Sequence, residues 1–386
     1  MKHETQAGGR RATVSTIRRV GRRPGHRDRR PPAALCPRWQ LTARDLDIVE
    51  AVVAHQFLTV NELQPLFFSV ETGYKAAARR LKALSDAGLL ARHYTPTFDA
   101  SPAVYCPTQK GVQLLLAHGQ LHPDEIDWRG KHNRITAASV RHELAANRLV
   151  VTLMLALAEG QGYWLEVPCP HRAGGKRLTR RIDHARLAQA LTVERGSHLW
   201  DRVRNPSQKG RRTPTYLPVR PDRLLLVNWE AGRVSGNNRE SYTNAHHKTF
   251  FLEVEIAPKQ SERLRQRFRA YREYYRSGGF LRRYGHGDDV RAYPFVVLVT
   301  APTDERRNNL IELAIEEACL KMVWFATYDE VLADPLGAVW IRGEAYDAAF
   351  RTLSETEYTQ LYRTHRRVER DRFVNAHVQK HGLLET

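Results

Sequence analysis

Three carboxylates in the second half of the chain stand where they could do chemistry together. Glu253 and Glu255 are two apart in F-L-E-V-E-I-A-P-K (251–259), and Asp222 follows Pro221 at the head of P-D-R-L-L-L-V-N-W (221–229). Side chains alternate along a strand, so the two glutamates share a face, ~7 Å apart, and Leu252, Val254 and Ile256 take the other. If the two runs are neighbouring strands, Asp222 meets Glu253, and Glu143 joins them from an upstream helix. Clustered carboxylates raise one another's pKa values. A divalent cation relieves that cost: Mg2+ or Mn2+, held by Asp222 and Glu253, would activate water against a phosphodiester. The competing reading is an edge strand with two acids turned to water.

Such a group needs a sheet to hold it. A helix over about 136–159 is followed by strand-like runs at 163–168, 221–229 and 249–257. A helix from about 258 to 276 has Leu264, Phe268, Tyr271 and Tyr275 as its inward stripe, with Arg267 near the edge of that stripe and able to project a cation toward the carboxylates. Y-P-F-V-V-L-V-T (293–300) is apolar throughout, as in a sheet covered on both faces. A helix (304–320) and the strand M-V-W-F-A-T (322–327) complete an α/β domain with a mixed central sheet over 136–345. Residues 169–218, rich in Lys and Arg and without sustained periodicity, read as a basic insertion beside the sheet, either a further DNA contact or a surface loop. Residues 346–386 read as a C-terminal helical extension. H-E-L-A-A (142–146) lacks the second histidine of a zinc-binding helix.

Residues 39–118 have a different texture. Thr42 and Asp45 form a capping-box pattern ahead of Leu46, Val49 and Val53. F-L-T-V-N-E-L-Q-P-L-F-F (57–68) is a second, short element containing Pro65. A third helix sets Tyr74, Ala77, Leu81 and Leu84 on one stripe and Thr72, Lys75, Arg79 and Lys82 on another, with Arg80 alongside. L-L-A-R-H-Y and A-V-Y-C flank the turn-rich T-P-T-F-D-A-S-P as a hairpin, and a last helix is capped by Thr108. This order predicts a winged helix-turn-helix, whose third helix enters the major groove. Thr72, Lys75, Arg79, Arg80 and Lys82 are its DNA-facing candidates, and Arg92 and His93 act from the wing. A solvated basic face or a protein-docking module would carry the same pattern. The polar stretch 119–135 reads as the linker.

The charge points the same way. The 386 residues carry 61 Lys and Arg against 42 Asp and Glu, a net +19, which favours polyanions. Residues 1–38 hold eleven of those cations against Glu4 and Asp28 and read as a disordered basic arm. No apolar run reaches the ~18–20 residues of a membrane span, and no apolar segment follows the N-terminal arginines as in a secretory signal. Cys36, Cys106, Cys169 and Cys319 are too scattered for a zinc ribbon or a disulfide framework, so a reducing, cytoplasmic setting is expected.

Pro221-Asp222, then Glu253-Val254-Glu255, with Glu143 upstream, resembles the PD-(D/E)XK signature of restriction-endonuclease-like nucleases. Glu255 stands where that fold family has its lysine. Arg267 would have to supply the cation, and a guanidinium stays protonated, so the resemblance implies a weakened general base. The whole chain matches more broadly. L-T-x-R-D-x-x-I-x-x-x-V, F-L-T-V-x-E-L, A-x-R-R-L-x-x-L-x-x-A-G-L-L, H-E-L-A-x-N, R-P-D, F-L-E-V-E, R-x-Y-x-x-Y-Y and F-A-T-Y-D-E-V-L-A-D-P-L-G-A-V-W, spread over about 41–340, together resemble the replication-relaxation family of plasmid and mobile-element proteins. The resemblance implies DNA binding in replication or mobilisation of a bacterial plasmid or integrative element, with double-stranded DNA and a relaxase or replication initiator as partners. Three readings stand side by side. One is a DNA-binding accessory protein with a weak or inactive nuclease-like domain. Another is an active Mg2+-dependent nickase using Glu143, Asp222, Glu253, Glu255 and Arg267. The third is a winged-helix transcriptional regulator whose second domain binds a ligand or protein.

Overall fold

The computed structural model describes residues 40–68, 73–93, 102–123, 128–133, 136–168, 178–196, 199–206, 215–230, 245–256, 261–284, 295–354, 356–357 and 367–383. The basic arm 1–38, Thr72 and most of the expected hairpin loop lie outside these residues. The chain divides into two units. The first comprises the described residues up to Val60 together with Arg79–Glu143, and the second comprises Asn61–Ala78 with the residues from Leu144 onward.

The first elements are α1 (Ala43–His55), β1 (Leu58–Thr59), α2 (Val60–Phe67), α3 (Tyr74–Asp86), β2 (Leu90–His93), β3 (Val104–Pro107) and α4 (Gln109–Ala117). The start of α1 is fixed as its sequence predicts: the Asp45 carboxylate accepts from Thr42 N (2.7 Å) and Thr42 Oγ1 (2.6 Å). At α4, Thr108 Oγ1 accepts from Gly111 N (3.0 Å) and donates to Gly88 O (2.8 Å). Within the first unit the strands form an antiparallel sheet in the order β1-β3-β2, against which α1 packs. Ile48, Val49, Val52, Leu81, Leu84, Val112 and Leu115 are buried there. The expected linker is partly structured: Gly130–Asn133 is a 3-10 turn tied to β3 by Asn133 Nδ2 donating to Pro107 O (2.7 Å).

The second unit is built on a sheet. After α5 (Ala137–Gly160) come β4 (Trp164–Pro168), β5 (Leu178–Ile182), α6 (His184–Ala190), β6 (Leu191–Glu194), β7 (Asp201–Arg204), β8 (Tyr216–Val219), β9 (Arg223–Glu230) and β10 (Ala245–Val254). Then follow α7 (Ser261–Arg276), α8 (Gly279–Tyr284), β11 (Val296–Ala301), α9 (Asp304–Glu316), β12 (Val323–Thr327), α10 (Tyr328–Ala333), β13 (Trp340–Arg342) and α11 (Gly343–Arg351). A last helix, Arg367–His377, leads to β14 (Lys380–His381). Seven strands pair in the order β14-β13-β12-β11-β10-β9-β6. β10, β11 and β12 are parallel, and antiparallel partners flank them, so the sheet is mixed.

Both faces are covered, which is why β11 is buried along its whole length and apolar but for Thr300. On one face Leu149, Val150 and Leu153 of α5 meet Leu225, Leu252 and Leu298. On the other, Phe251 lies among Tyr271, Tyr274, Phe280 and Phe295, with ring centroids 4.9–6.5 Å apart. Removing a ring from such a cluster costs about 3–5 kcal/mol. The inward stripe of α7 is Leu264, Phe268, Tyr271 and Tyr274. Tyr275, expected inside, is 38% exposed. Tyr274 lies three residues after Tyr271 and Tyr275 four, so the two spacings fit a helix face equally well and the partner decides.

Three expectations are corrected. The 169–218 segment is not an interruption of the sheet: it contributes β5, α6, β7, most of β8 and an edge strand, β6, which pairs with β9. Its strands are four or five residues long, too short to leave a sustained period. The run at 163–168 pairs with β5 in a separate two-stranded ribbon rather than in the central sheet. The C-terminal extension is not helical alone. A boundary at 345 would cut α11, and β14 closes one edge of the sheet. Arg307 of α9, fully buried, reaches Asp304 (2.7 Å) and Asn375 of the last helix (2.8 Å), while Asn308 donates to Asp371 (2.7 Å).

Candidate functional site

The three carboxylates converge at the carboxyl end of β10. Arg223 pairs with Leu252 in the antiparallel register, which sets Asp222 opposite Glu253. Asp222 N donates to Leu252 O (3.0 Å), and its Oδ2 accepts from Val254 N (2.7 Å). Arg223, on the opposite side of the strand, is buried and donates to Asn147 Oδ1 of α5 (2.6 Å). Arg223, which directly follows the R-P-D motif, therefore ties β9 to the asparagine of the H-E-L-A-x-N motif, and Tyr328 of the F-A-T-Y-D-E motif adds a bond from its hydroxyl to Ala145 O (3.1 Å).

Glu253 and Glu255 do lie on one side, and it is not turned to water: each is 3% exposed. Glu253 Oε1 accepts from Tyr271 Oη (2.5 Å), and its Oε2 pairs with Arg267. Glu255 N donates to Thr300 O (2.9 Å) just past the strand, and its Oε1 accepts from Arg306 Nη2 (3.1 Å). Arg306 stands in the first turn of α9, whose start is capped by Thr303. The charge of Glu253 is the main cause that raises the Arg267 pKa above its ordinary value, with Asp222 and Glu255 adding to it. Burial, and then Glu253, push the Tyr271 hydroxyl well above its usual range.

The space between Glu253, Glu255, Leu264, Arg267, Phe268, Val299 and Leu310 is about 10 Å³, room for about one water. Mg2+ usually keeps several waters. The Arg267 guanidinium lies against Glu253, one of the two carboxylates expected to hold the ion. Among the described residues no group of three or more His, Cys, Asp or Glu is placed to hold a metal ion.

Glu143 is the last residue of the first unit, whereas Asp222, Glu253 and Glu255 belong to the second. Lys75 and Arg79 are exposed, one turn apart on α3, and Arg92 is exposed on β2. Lys82 pairs with Asp86, and His93 is half-buried. Arg80 turns inward: its guanidinium forks onto buried Asp45, and its Nη2 donates to Gln40 O (2.9 Å). Burial alone would raise the Asp45 carboxyl, but Arg80 and Thr42 hold it below its ordinary value. Arg80 therefore serves the start of α1. Two residues of the carboxylate cluster were not singled out for it from sequence. Tyr271 had been assigned to the core, and Arg306 sits on a helix that no motif linked to Glu255.

No curated protein and no solved structure matches the chain. The replication-relaxation family matches residues 50–290, well over half of the sequence. That span contains α3 and its exposed cations, Asn147, Asp222 and the Glu253–Arg267 pair; on this match the chain belongs to the replication-relaxation family.

Proposed function

We propose that this protein is a DNA-binding accessory factor in replication or mobilisation of a plasmid or integrative element, acting beside a relaxase or replication initiator. In this reading α3 enters the major groove as the third helix of a winged helix-turn-helix, with Lys75 and Arg79 toward the duplex and Arg92 on the adjoining wing. The second unit is a nuclease-like scaffold that does not cleave. The observation that carries the choice between accessory factor and nuclease is the capture of both oxygens of Glu253, one by Arg267 and one by Tyr271. Hydrolysis at a metal needs a carboxylate that can ligate it.

The test is incubation of the protein with supercoiled plasmid, with and without Mg2+ or Mn2+, alongside a duplex-binding titration. Binding without nicking is expected. Arg79→Ala should weaken duplex binding and reduce its salt slope by about one. Metal-dependent nicking that disappears in Glu253→Ala would replace this reading with the nickase. Duplex binding that Arg79→Ala leaves unchanged would remove α3 from the interface and favour a regulator that works by docking protein.

A further inference from the structure

The largest cavity among those described in the second unit shares no lining residue with the carboxylate cluster. Its volume is about 600 Å³, inside the ~300–1,000 Å³ range of small-molecule sites. It lies between the outer face of α7, the end of α9 and α11. Arg272, Arg276, Lys321 and Arg351 bring four cations to it. The acids are fewer: Glu344 on the wall, and Glu273 behind it, pairing with Arg272 (2.9 Å) and Arg276 (3.7 Å). Arg272 is further fixed by donating to Glu317 O (2.6 Å). Between the cations the wall is apolar, including Tyr275, 38% exposed, and Ile315, 42% exposed.

The backbone is shaped around this hollow. The end of α9 closes with Cys319 N donating to Ala314 O (3.0 Å) and Ala318 N to Ile315 O (2.9 Å), a Schellman pattern. Its left-handed position, normally glycine, is Ala318 at φ 52°. Its methyl belongs to a residue of the cavity wall. At Gly343 a Cβ would sit 2.1 Å from Leu320 O, so only glycine lets α11 approach this edge. Burial pushes the Cys319 thiol up, which keeps it protonated and inert.

We propose that this cavity binds a nucleoside phosphate, with arginine forks on the phosphate and the base against Tyr275 and the apolar wall. Planar guanidinium groups match phosphate oxygens, and an exposed aromatic among basic residues suits a base that is out of the helix stack. An acidic peptide would satisfy the charge but leave Tyr275 and Ile315 without a matching face. The nucleotide is either free or one unit of a single strand. No residue of α3 lines the cavity, and the proposal stands whether or not α3 contacts DNA.

The test uses the full chain with labelled short oligo(dT) and, separately, dTMP. Wild type should bind one or both, and the ligand bound names the source. Arg276→Ser with Lys321→Ser should lower oligo(dT) affinity about tenfold and reduce its salt slope by about 1.4, at ~0.7 per lost phosphate contact. Tyr275→Ala should lower affinity at least about fivefold without changing the slope, as loss of stacking does. These side chains are exposed, and a thermal melt of each variant checks folding. Arg79→Ala should leave oligo(dT) and dTMP binding unaltered, which separates this site from the duplex reading. Equal affinity in wild type and both variants, no binding of either ligand, or equal competition by polyglutamate would overturn the proposal.

Discussion

Arg267 and Glu253 meet at the carboxyl end of the central strand β10, guanidinium against carboxylate, with the hydroxyl of Tyr271 on the second oxygen. Both partners from α7 come from one face of that helix, four residues apart, so a single turn supplies a cation and a neutral donor to one buried acid.

Breaking that tie should be costly. Arg267→Met leaves Glu253 buried beside Asp222 and Glu255. Losing one partner of a fully buried pair costs ~3–5 kcal/mol, and partial exposure of Arg267 reduces the expected loss to about 2–3 kcal/mol in urea unfolding. Adding Glu253→Gln should recover part of it, because the stranded charge goes while an acceptor for Tyr271 remains. A loss within experimental error of zero would mean that the pair contributes nothing to the fold.

Divalent cations offer a second readout. Millimolar Mg2+ or Mn2+ should leave the wild-type melting temperature unchanged, since Arg267 fills the place beside Glu253. In Arg267→Ala the same ions should raise it, because a ligand that binds only the folded state stabilises it by mass action. A rise in wild type equal to that in the variant would show that the arginine does not compete with the metal.

Acid should weaken the first unit through Asp45. Its folded pKa lies below the ordinary 3.8, so the unfolded chain takes up the proton first. The stabilisation from Arg80 is present above about pH 4 and fades as pH falls through the folded pKa. Arg80→Met should therefore destabilise at pH 7 and lose much less between pH 5 and 2 than wild type. Parallel acid-unfolding curves would count against this pair as the acid-sensitive contact.

Lys248 of β10 behaves in the opposite sense. Its ammonium stands 4.2 Å from the Trp324 ring, and burial, with Arg342 nearby, pushes its pKa down to about 8. The unfolded lysine holds its proton to about pH 10.5, so wild-type stability should rise as pH increases from about 8 toward that value. Lys248→Met should stabilise at pH 7 by about 1–2 kcal/mol, allowing for partial exposure, and the gain should shrink at pH 9.5. Thermal or urea unfolding at the two pH values checks it.

Ala318→Gly should stabilise by about 0.5–1 kcal/mol, because glycine adopts the left-handed turn at the end of α9 without the Cβ clash. No gain, measured by urea unfolding, would indicate that the methyl packs well enough to offset the strain.

Much of this architecture was legible locally. The Thr42–Asp45 box, the Thr108 cap and the burial of β11 on both faces follow from neighbours a few residues apart. So does the common side of Glu253 and Glu255, since alternation along a strand is a property of the strand alone. What the local pattern left open was the company each face keeps. Tyr274 rather than Tyr275 turns inward because Phe251 and Phe295 are there to receive it. β6 and β14 are too short to announce themselves and exist as strands because β9 and β13 offer edges.

The carboxylates divide along the same line. Their types, their spacing and the likeness to a replication-relaxation protein were set by the order of residues. That an arginine 14 residues away neutralises Glu253, and another 51 residues away reaches Glu255, was decided only when helices folded back across the sheet. Charge pairing acts through space over a few ångströms, and sequence separation carries no information about which cation arrives there.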